Sequence, residues 1–166
     1  ERQSAHLDEL EDQMTALGAQ HRTGNPVVDT ILTAKARFCR ANQISLTAVA
    51  DGTVFDHITT MDLASLLGNA LDNAIESALR LEDPEQRLIK VAIYGESNFA
   101  IARFENYFDG ELRFADGELA TRKANTARHG LGLKSIRQTA EKYGGQASTK
   151  ADDGWFTLTV LLPRPS

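Results

Sequence analysis

The sequence predicts an α+β fold in which helices cover one face of a mixed, largely antiparallel sheet. Residues 63–79 have apolar side chains at helical spacing, and short alternating apolar runs occur in pairs around turn residues. These pairs separate the predicted helices, which favours hairpins over a doubly wound parallel sheet. The chain has 166 residues, 42% of them hydrophobic and 25% charged, so one globular domain can bury a core of its own.

The first 22 residues are polar and charged but contain a narrow apolar seam. Four residues of this seam are spaced by three and four positions: Leu7, Leu10, Met14 and Leu17. That spacing is typical of a helix that packs against one partner helix. We expect residues 1–24 to be the end of such a helix and its linker, ahead of a domain over residues 25–166. Because the chain lacks an initiator Met, we expect it to be a piece of a longer protein.

The next predicted elements are a helix and two short strands. Residues 27–42 have apolar positions at helical spacing, and Pro26 suits the first turn of that helix. Residues 44–49 and 53–55 are each predicted as a short strand, because the turn signal Asp51-Gly52 lies between them.

After the helix over 63–79, the pattern predicts two hairpins with one more helix between them. The predicted strands span residues 88–94, 99–104, 146–149 and 155–162. The helix is predicted over 131–143, where Gly144-Gly145 ends it. Residues 107–129 have many charges and glycines and no firm period, which is typical of a functional loop or lid.

Composition excludes several classes of function. The net charge of −5 and the pI near 5.4 argue against a nucleic-acid interface, which needs a basic face. Cys39 is the only cysteine, so no intramolecular disulfide can form, and its helical context predicts a small buried residue rather than a nucleophile. No apolar run reaches the ~20 residues that cross a bilayer, and no Cys/His/carboxylate grouping has zinc spacing.

The helix over 63–79 has a polar stripe of unusual composition. At about 100° per residue, four residues lie together on the side opposite its apolar face: Asn69, Asp72, Asn73 and Glu76. Asn competes with the backbone for hydrogen bonds, so two of them one turn apart lower helix stability. We expect a function to use Asn69 and Asn73; the alternative is a solvated polar surface.

A second feature is the run Arg128-His129-Gly130-Leu131-Gly132-Leu133, where the predicted helix over 131–143 begins. Glycines let a backbone approach a ligand closely, and a helix N-terminus offers free N–H groups and partial positive charge, so both suit a phosphate. The run is not a P-loop, because no Lys-Ser/Thr pair comes directly after its last glycine, and not a dinucleotide fingerprint, because no strand leads directly into it. An ordinary glycine-rich turn is the alternative.

Together these features resemble the ATP-binding domain of the GHKL superfamily, which includes gyrase and the histidine kinases. The similarity covers residues 25–163 and rests on the run Asn69–Ala74, the strand ending in Phe104-Glu105-Asn106, and the run His129–Leu133. It implies a two-layer α/β sandwich of the Bergerat type, preceded by an N-terminal helix. The run Gly24–Asp29 is similar to that of Agr-type, peptide-sensing kinases.

The resemblance implies a Mg·ATP site on the polar stripe. Asn73 matches the asparagine whose amide oxygen binds the Mg²⁺ that bridges the ATP phosphates. Asn69 matches the other asparagine of that motif, beside the phosphates, and Asp72 lies between the two in sequence. In ATP-hydrolysing relatives, a Glu that activates water stands at the position of Asn69. Because Asn cannot act as a base, the resemblance favours phosphoryl transfer over hydrolysis.

The resemblance also assigns roles to the glycine run and the loop before it. The α- and β-phosphates would be held near four residues: Gly130, Leu131, Gly132 and Leu133. Lys123 matches a lysine that Agr-type lids place near the phosphates; an ordinary surface lysine is the alternative. His129 adjoins this site, and we expect it to shape the hinge of the lid rather than to perform chemistry.

The adenine site departs from the usual pattern of the superfamily. Most members have Asp-x-Gly-x-Gly where this chain has the run Glu105–Gly110. Agr-type kinases have Asn there, so Asn106 is the candidate whose amide oxygen accepts a hydrogen bond from the adenine amino group. The alternative is that Asp109-Gly110 is a shifted remnant of the usual motif.

These similarities imply the catalytic domain of a sensor histidine kinase, with ATP and Mg²⁺ as cofactors. It would transfer the γ-phosphoryl group to a histidine upstream, on dimerisation helices of the same protein, and serve a cognate response regulator. We expect a homodimer that is anchored in a membrane upstream, with this domain in the cytoplasm. His6 is not the expected acceptor, because only one helix precedes Gly24. The alternatives are an anti-sigma-type serine kinase and a non-catalytic module that has lost nucleotide binding.

Overall fold

The computed structural model describes residues 21–108, 113–115, 118–120 and 126–165. Its helices are α1 (Pro26–Ala41), α2 (Thr60–Leu79) and α3 (Thr126–Lys142), with 3-10 turns at Gly52–Phe55 and Pro84–Gln86. Its strands are β1 (Ser45–Ala50), β2 (Leu88–Glu96), β3 (Phe99–Tyr107), β4 (Arg113–Ala115), β5 (Glu118–Ala120), β6 (Gln146–Asp152) and β7 (Trp155–Pro163). The apolar seam before residue 21 and His6 lie outside the described residues. None of the described helices is long and apolar enough to cross a membrane.

The main sheet has the strand order β1-β2-β3-β7-β6. β1 is parallel to β2, with Ser45 opposite Leu88, whereas the other neighbouring strands of this sheet are antiparallel. β4 and β5 form a separate antiparallel pair. The sheet is therefore mixed and largely antiparallel, and the helices pack on one of its faces. The predicted α+β fold is confirmed.

α2 forms the centre of the core. All eight residues of its predicted apolar face are buried: Leu63, Leu66, Leu67, Ala70, Leu71, Ala74, Ile75 and Ala78. They share one core cluster with buried residues of β3, the strand of the sheet that α2 contacts most: Ala100, Ala102 and Phe104. Burial of one large apolar side chain contributes about 1.5–3 kcal/mol, so the contact between α2 and the sheet is a main source of stability.

Polar side chains determine where α1 and α2 begin. The amide oxygen of Asn25 accepts hydrogen bonds from two N–H groups of the first turn of α1, at 3.0 and 3.3 Å. Pro26 occupies that first turn, as predicted. The hydroxyl of Thr59 accepts a hydrogen bond from the N–H of Asp62, at 3.3 Å. Such caps contribute about 1 kcal/mol each.

The predicted strand over residues 53–55 is wrong, because these residues belong to the 3-10 turn Gly52–Phe55. The carboxylate of Asp51 caps this turn and accepts hydrogen bonds from the N–H and the hydroxyl of Thr53, at 3.1 and 2.6 Å. Val54 and Phe55 are both buried, whereas consecutive residues of a strand point to opposite faces. β1 therefore has no hairpin partner and pairs in parallel with β2.

α3 begins at Thr126, earlier than predicted, and ends at Lys142, two residues before Gly144, whose φ of 76° suits glycine. Leu133, Ile136 and Ala140 of this helix are buried. Their packing outweighs the cost of glycine within a helix, about 1 kcal/mol for each glycine. The predicted loop over 107–129 is consequently shorter, and it contains the strand pair β4–β5.

Candidate functional site

The contact between α2 and α3 brings the two predicted motifs together. Asn73 is half-buried on α2 and faces Gly132 of α3. A Cβ atom placed on Gly132 would lie 3.3 Å from Oδ1 and 3.7 Å from Nδ2 of Asn73. The glycine therefore leaves room beside the amide of Asn73 that any larger residue would reduce.

The structure places the glycine run within α3. Because α3 begins at Thr126, the run His129–Leu133 lies within the helix and not at its free N-terminus. The unpaired N–H groups of a helix are those of its first turn, which in α3 starts at Thr126. Leu133 is buried in the core. Lys123 lies outside the described residues.

The remaining polar residues of α2 have separate neighbours. The Asn69 amide nitrogen donates a hydrogen bond to the hydroxyl of Ser65, at 3.4 Å, one turn before it. Asp72 forms an ion pair with Lys35 of α1, with Nζ and Oδ1 2.5 Å apart. Asp72 therefore contacts α1, while Asn73 faces α3. The structure brings Asn73 and Gly132 together, and it does not bring Asp72 into that pair.

Asn106 lies at the end of β3 and is 2% exposed. Its amide nitrogen donates hydrogen bonds to the hydroxyl of Ser77, at 2.9 Å, and to the carbonyl oxygen of Tyr107, at 3.3 Å. A carbonyl oxygen only accepts, so the contact with Tyr107 assigns the amide nitrogen of Asn106 to that side. The amide oxygen is left as the acceptor that could recognise an amino group.

Ser77 is a residue of the site that sequence reasoning missed. It lies one turn after Asn73 on α2, about 6 Å further along the helix axis at 1.5 Å per residue, and it holds the amide of Asn106. Its position one turn after the two asparagines of α2 was the sequence signal that could have identified it. α2 therefore carries both the candidate metal ligand and the residue that orients the candidate adenine acceptor.

A polar cluster connects the start of α2 to the end of α3. The hydroxyl of Tyr143 accepts a hydrogen bond from the N–H of Thr59, at 3.1 Å, and donates one to Oδ2 of Asp62, at 2.6 Å. Lys142 Nζ donates to the same oxygen at 2.8 Å. The hydrogen bonds from Lys142 and then Tyr143 lower the pKa of Asp62 to about 2. The cluster keeps the two helices aligned, and with them Asn73 and Gly132.

The neutral oxygen of Asn73 fits a hard cation that takes most of its ligands from phosphates and water. Among the described residues, no three His, Cys, Asp or Glu side chains group as metal ligands. Asn73 instead offers one neutral oxygen, which suits a Mg²⁺ that takes its other ligands from phosphates and water. Cys39 is buried, as predicted, and burial raises its pKa to about 11, so its thiol is no nucleophile.

Comparison with known proteins agrees with this fold. A family model described as GHKL domain matches residues 58–163. The catalytic domain of the histidine kinase ThkA, in a nucleotide-free form, has a TM-score of 0.63 at 14% identity, over 86% of this chain and 93% of that one. The Acinetobacter baumannii histidine kinase AdeS has a TM-score of 0.56 at 15% identity, over 98% of this chain and 79% of that one. No curated protein matches the sequence.

Proposed function

The chain belongs to the GHKL domain family, and we propose that it is the catalytic, ATP-binding domain of a histidine kinase. It binds Mg·ATP and transfers the γ-phosphoryl group to a histidine on the dimerisation helices of the same protein. The observation that carries this proposal is the position of the Asn73 amide beside Gly132, where two distant motifs meet.

In this proposal, each polar residue of the site has a distinct task. Asn73 provides a neutral oxygen for Mg²⁺, which neutralises developing charge on the phosphates when it is bound. Asn69 lies one turn earlier, and as an amide it cannot take a proton from water. The site therefore lacks a base for hydrolysis at this position, which favours transfer to a protein nucleophile.

The nucleoside end of the ligand lies toward the sheet. Asn106 accepts a hydrogen bond from the adenine amino group through its amide oxygen, because Ser77 and the Tyr107 carbonyl occupy its donors. The acceptor histidine is provided by dimerisation helices of the same protein, and the phosphoryl group passes on to a response regulator. We also propose a homodimeric, membrane-anchored full-length protein with this domain in the cytoplasm.

Calorimetric titration of the Asn73→Ala variant with ATP tests the metal role. We expect a loss of about 10-fold to 100-fold in affinity when Mg²⁺ is present, by analogy with other changes around bound metals. Affinity without Mg²⁺ should stay the same, because Asn73 contacts the metal and not the nucleotide. Gln138→Ala is a matched control, since it removes an exposed amide from α3. Unchanged Mg·ATP affinity in Asn73→Ala would contradict the proposal.

The residue that accepts the phosphoryl group distinguishes a histidine kinase from an anti-sigma-type serine kinase. The chain is incubated with labelled ATP and either a histidine-bearing dimerisation hairpin or a serine-bearing anti-anti-sigma partner. A label that appears on the hairpin and is lost in acid indicates phosphohistidine. Acid-stable label on the serine partner would contradict the histidine kinase assignment. A melting temperature that ATP analogues at millimolar concentration leave unchanged would instead indicate a non-catalytic module.

A further inference from the structure

The two edge strands of the main sheet, β1 and β6, differ in their protection against pairing with another chain. Proteins usually place charged residues or proline on an edge strand, because its free backbone groups can bind a further strand. β6 has such charges in Lys150 and Asp152, whose side chains form an exposed ion pair at 3.7 Å. β1 has the sequence SLTAVA, without charge or proline. β1 is therefore the unprotected edge of the sheet.

Alternate residues of β1 direct their backbone groups away from β2. The N–H of Ser45 donates a hydrogen bond to the carbonyl oxygen of Arg87, at 2.8 Å, and the N–H of Asp51 donates to that of Ile93, at 2.9 Å. Because this direction reverses at each residue of a strand, the odd-numbered residues bond to β2. The outward groups belong to the even-numbered residues: Leu46, Ala48 and Ala50. Within the described part of the chain, no hydrogen bond reaches these outward groups.

The side chains of β1 also suit a further strand. Those of the even-numbered residues pack partly against the core, which holds β1 in place. Thr47 and Val49 are instead exposed on the face opposite the helices, with Val49 at 74%. β-Branched residues stabilise a sheet when a cross-strand residue lies opposite them. On the β2 side, Val49 is opposite the small residue Ala92, so a strand on the outer side would cover much of its exposed surface.

A second copy of β1 in antiparallel orientation meets these requirements. Two-fold pairing about Ala48 places Ala48 opposite itself and Leu46 opposite Ala50, so every outward backbone group obtains a partner. Each of these three pairs exchanges two hydrogen bonds, which gives about six in total. On the exposed face, Thr47 then lies opposite Val49 of the second copy. Because β1 has no charged residue, no like charges oppose each other along the paired strands.

The size of this contact predicts a weak association. Six residues at about 3.3 Å each span roughly 20 Å. An edge of that length buries less than the ~1,200 Å² at which stable interfaces begin. The pairing is therefore suited to copies at a high local concentration, as in the full-length homodimer that we propose.

We propose that β1 is a self-association edge, at which two copies of this chain pair antiparallel about Ala48 and join their main sheets into one. The partner is a second copy and not β6 of another chain, because β6 is blunted by its charges. This inference does not depend on nucleotide binding.

Disulfide formation between two variants of the whole chain tests the register. Thr47→Cys and Val49→Cys are mixed and oxidised at millimolar concentration. The proposed register places position 47 of one copy about 4.5 Å from position 49 of the other, whereas identical positions are diagonal neighbours about 7–8 Å apart. We expect the mixed disulfide to form at least about tenfold faster than either disulfide between identical variants. Cys39 is 1% exposed and can stay in place. Equal rates for mixed and identical pairs would overturn the proposal.

Sedimentation at millimolar concentration tests the edge itself. Val49→Lys should weaken self-association by about tenfold or more, because a lysine blunts an edge strand, and its exposed position should leave the melting temperature unchanged. Ser148→Lys is the matched control, since it adds the same charge at an exposed position of β6, and its association should equal that of wild type. A wild-type chain that stays monomeric, or an association that Val49→Lys leaves unchanged, would overturn the proposal. Equal weakening by both lysines would also overturn it, because it would indicate pairing of β1 with β6 of another copy.

Discussion

Replacing Gly132 by Ala should change the stability of α3 and the ligand affinity of the site in different directions. Alanine within a helix is favoured over glycine by about 0.5–1 kcal/mol. Against this gain, the new Cβ would lie 3.3 Å from Oδ1 of Asn73. That atom is at the end of a flexible side chain, so it can move by a few tenths of an ångström. We expect the free energy of unfolding to rise by up to about 1 kcal/mol, or to stay the same.

Ligand binding should respond in the opposite direction. A movement of the Asn73 amide displaces the oxygen that we assign to Mg²⁺, and metal sites tolerate only small errors in ligand position. We expect the affinity of Gly132→Ala for Mg·ATP to fall by about 10-fold, as for other disturbances next to a bound metal. Its affinity for ATP without Mg²⁺ should change much less.

Gly68→Ala is the matched control, because Gly68 lies on α2 and a Cβ atom there would meet no atom within 4 Å. It should gain about 0.5–1 kcal/mol of stability and keep its Mg·ATP affinity. Urea unfolding and calorimetry measure the two quantities. If Gly132→Ala matches Gly68→Ala in both, then glycine at 132 is not needed for the site and the reasoning is refuted.

Two further predictions concern the neighbours of the site. Ser77→Ala removes one hydrogen-bond acceptor of the Asn106 amide, so titration with ADP without Mg²⁺ should show a loss of about 2-fold to 10-fold; unchanged affinity would exclude the positioning role. The pKa of Asp62 is lowered to about 2 from 3.8, so its carboxylate stabilises the fold fully above about pH 4 and this contribution is lost as the pH falls toward 2. Urea unfolding should therefore show a difference between wild type and Asp62→Asn that shrinks across this range, and a constant difference would exclude the ion pair with Lys142 as its source.

The periodic spacing of apolar residues predicted the helices and strands in which buried residues recur at regular intervals. The eight apolar residues of α2 are all buried, because helical spacing is visible in any window of the chain. Residues 53–55 were misread because a run of three residues is too short to show a period. Their place in the fold depends on the parallel pairing of β1 with β2, about 40 residues later in the chain. Such pairing leaves no local signal.

The site was predictable in part, and for different reasons. The resemblance paired the asparagine motif with the glycine run, and the structure places Asn73 beside Gly132. The start of α3 at Thr126 was missed, since glycines lower helix propensity and only tertiary packing restores the helix. Ser77 was missed because its partner Asn106 lies 29 residues away.

The asparagines of α2 lower its helix propensity. The contacts around α2 explain why the helix is stable despite them. Its buried face contacts the sheet, Asp62 contacts the end of α3, Asp72 contacts α1 and Ser77 contacts β3. The helix is therefore held on several sides, and Asn73 presents its amide toward Gly132. The carboxylate of Asp72, the residue before Asn73 in sequence, is already paired with Lys35. A cation at Asn73 then depends on phosphate oxygens for its binding, which couples the metal to the nucleotide.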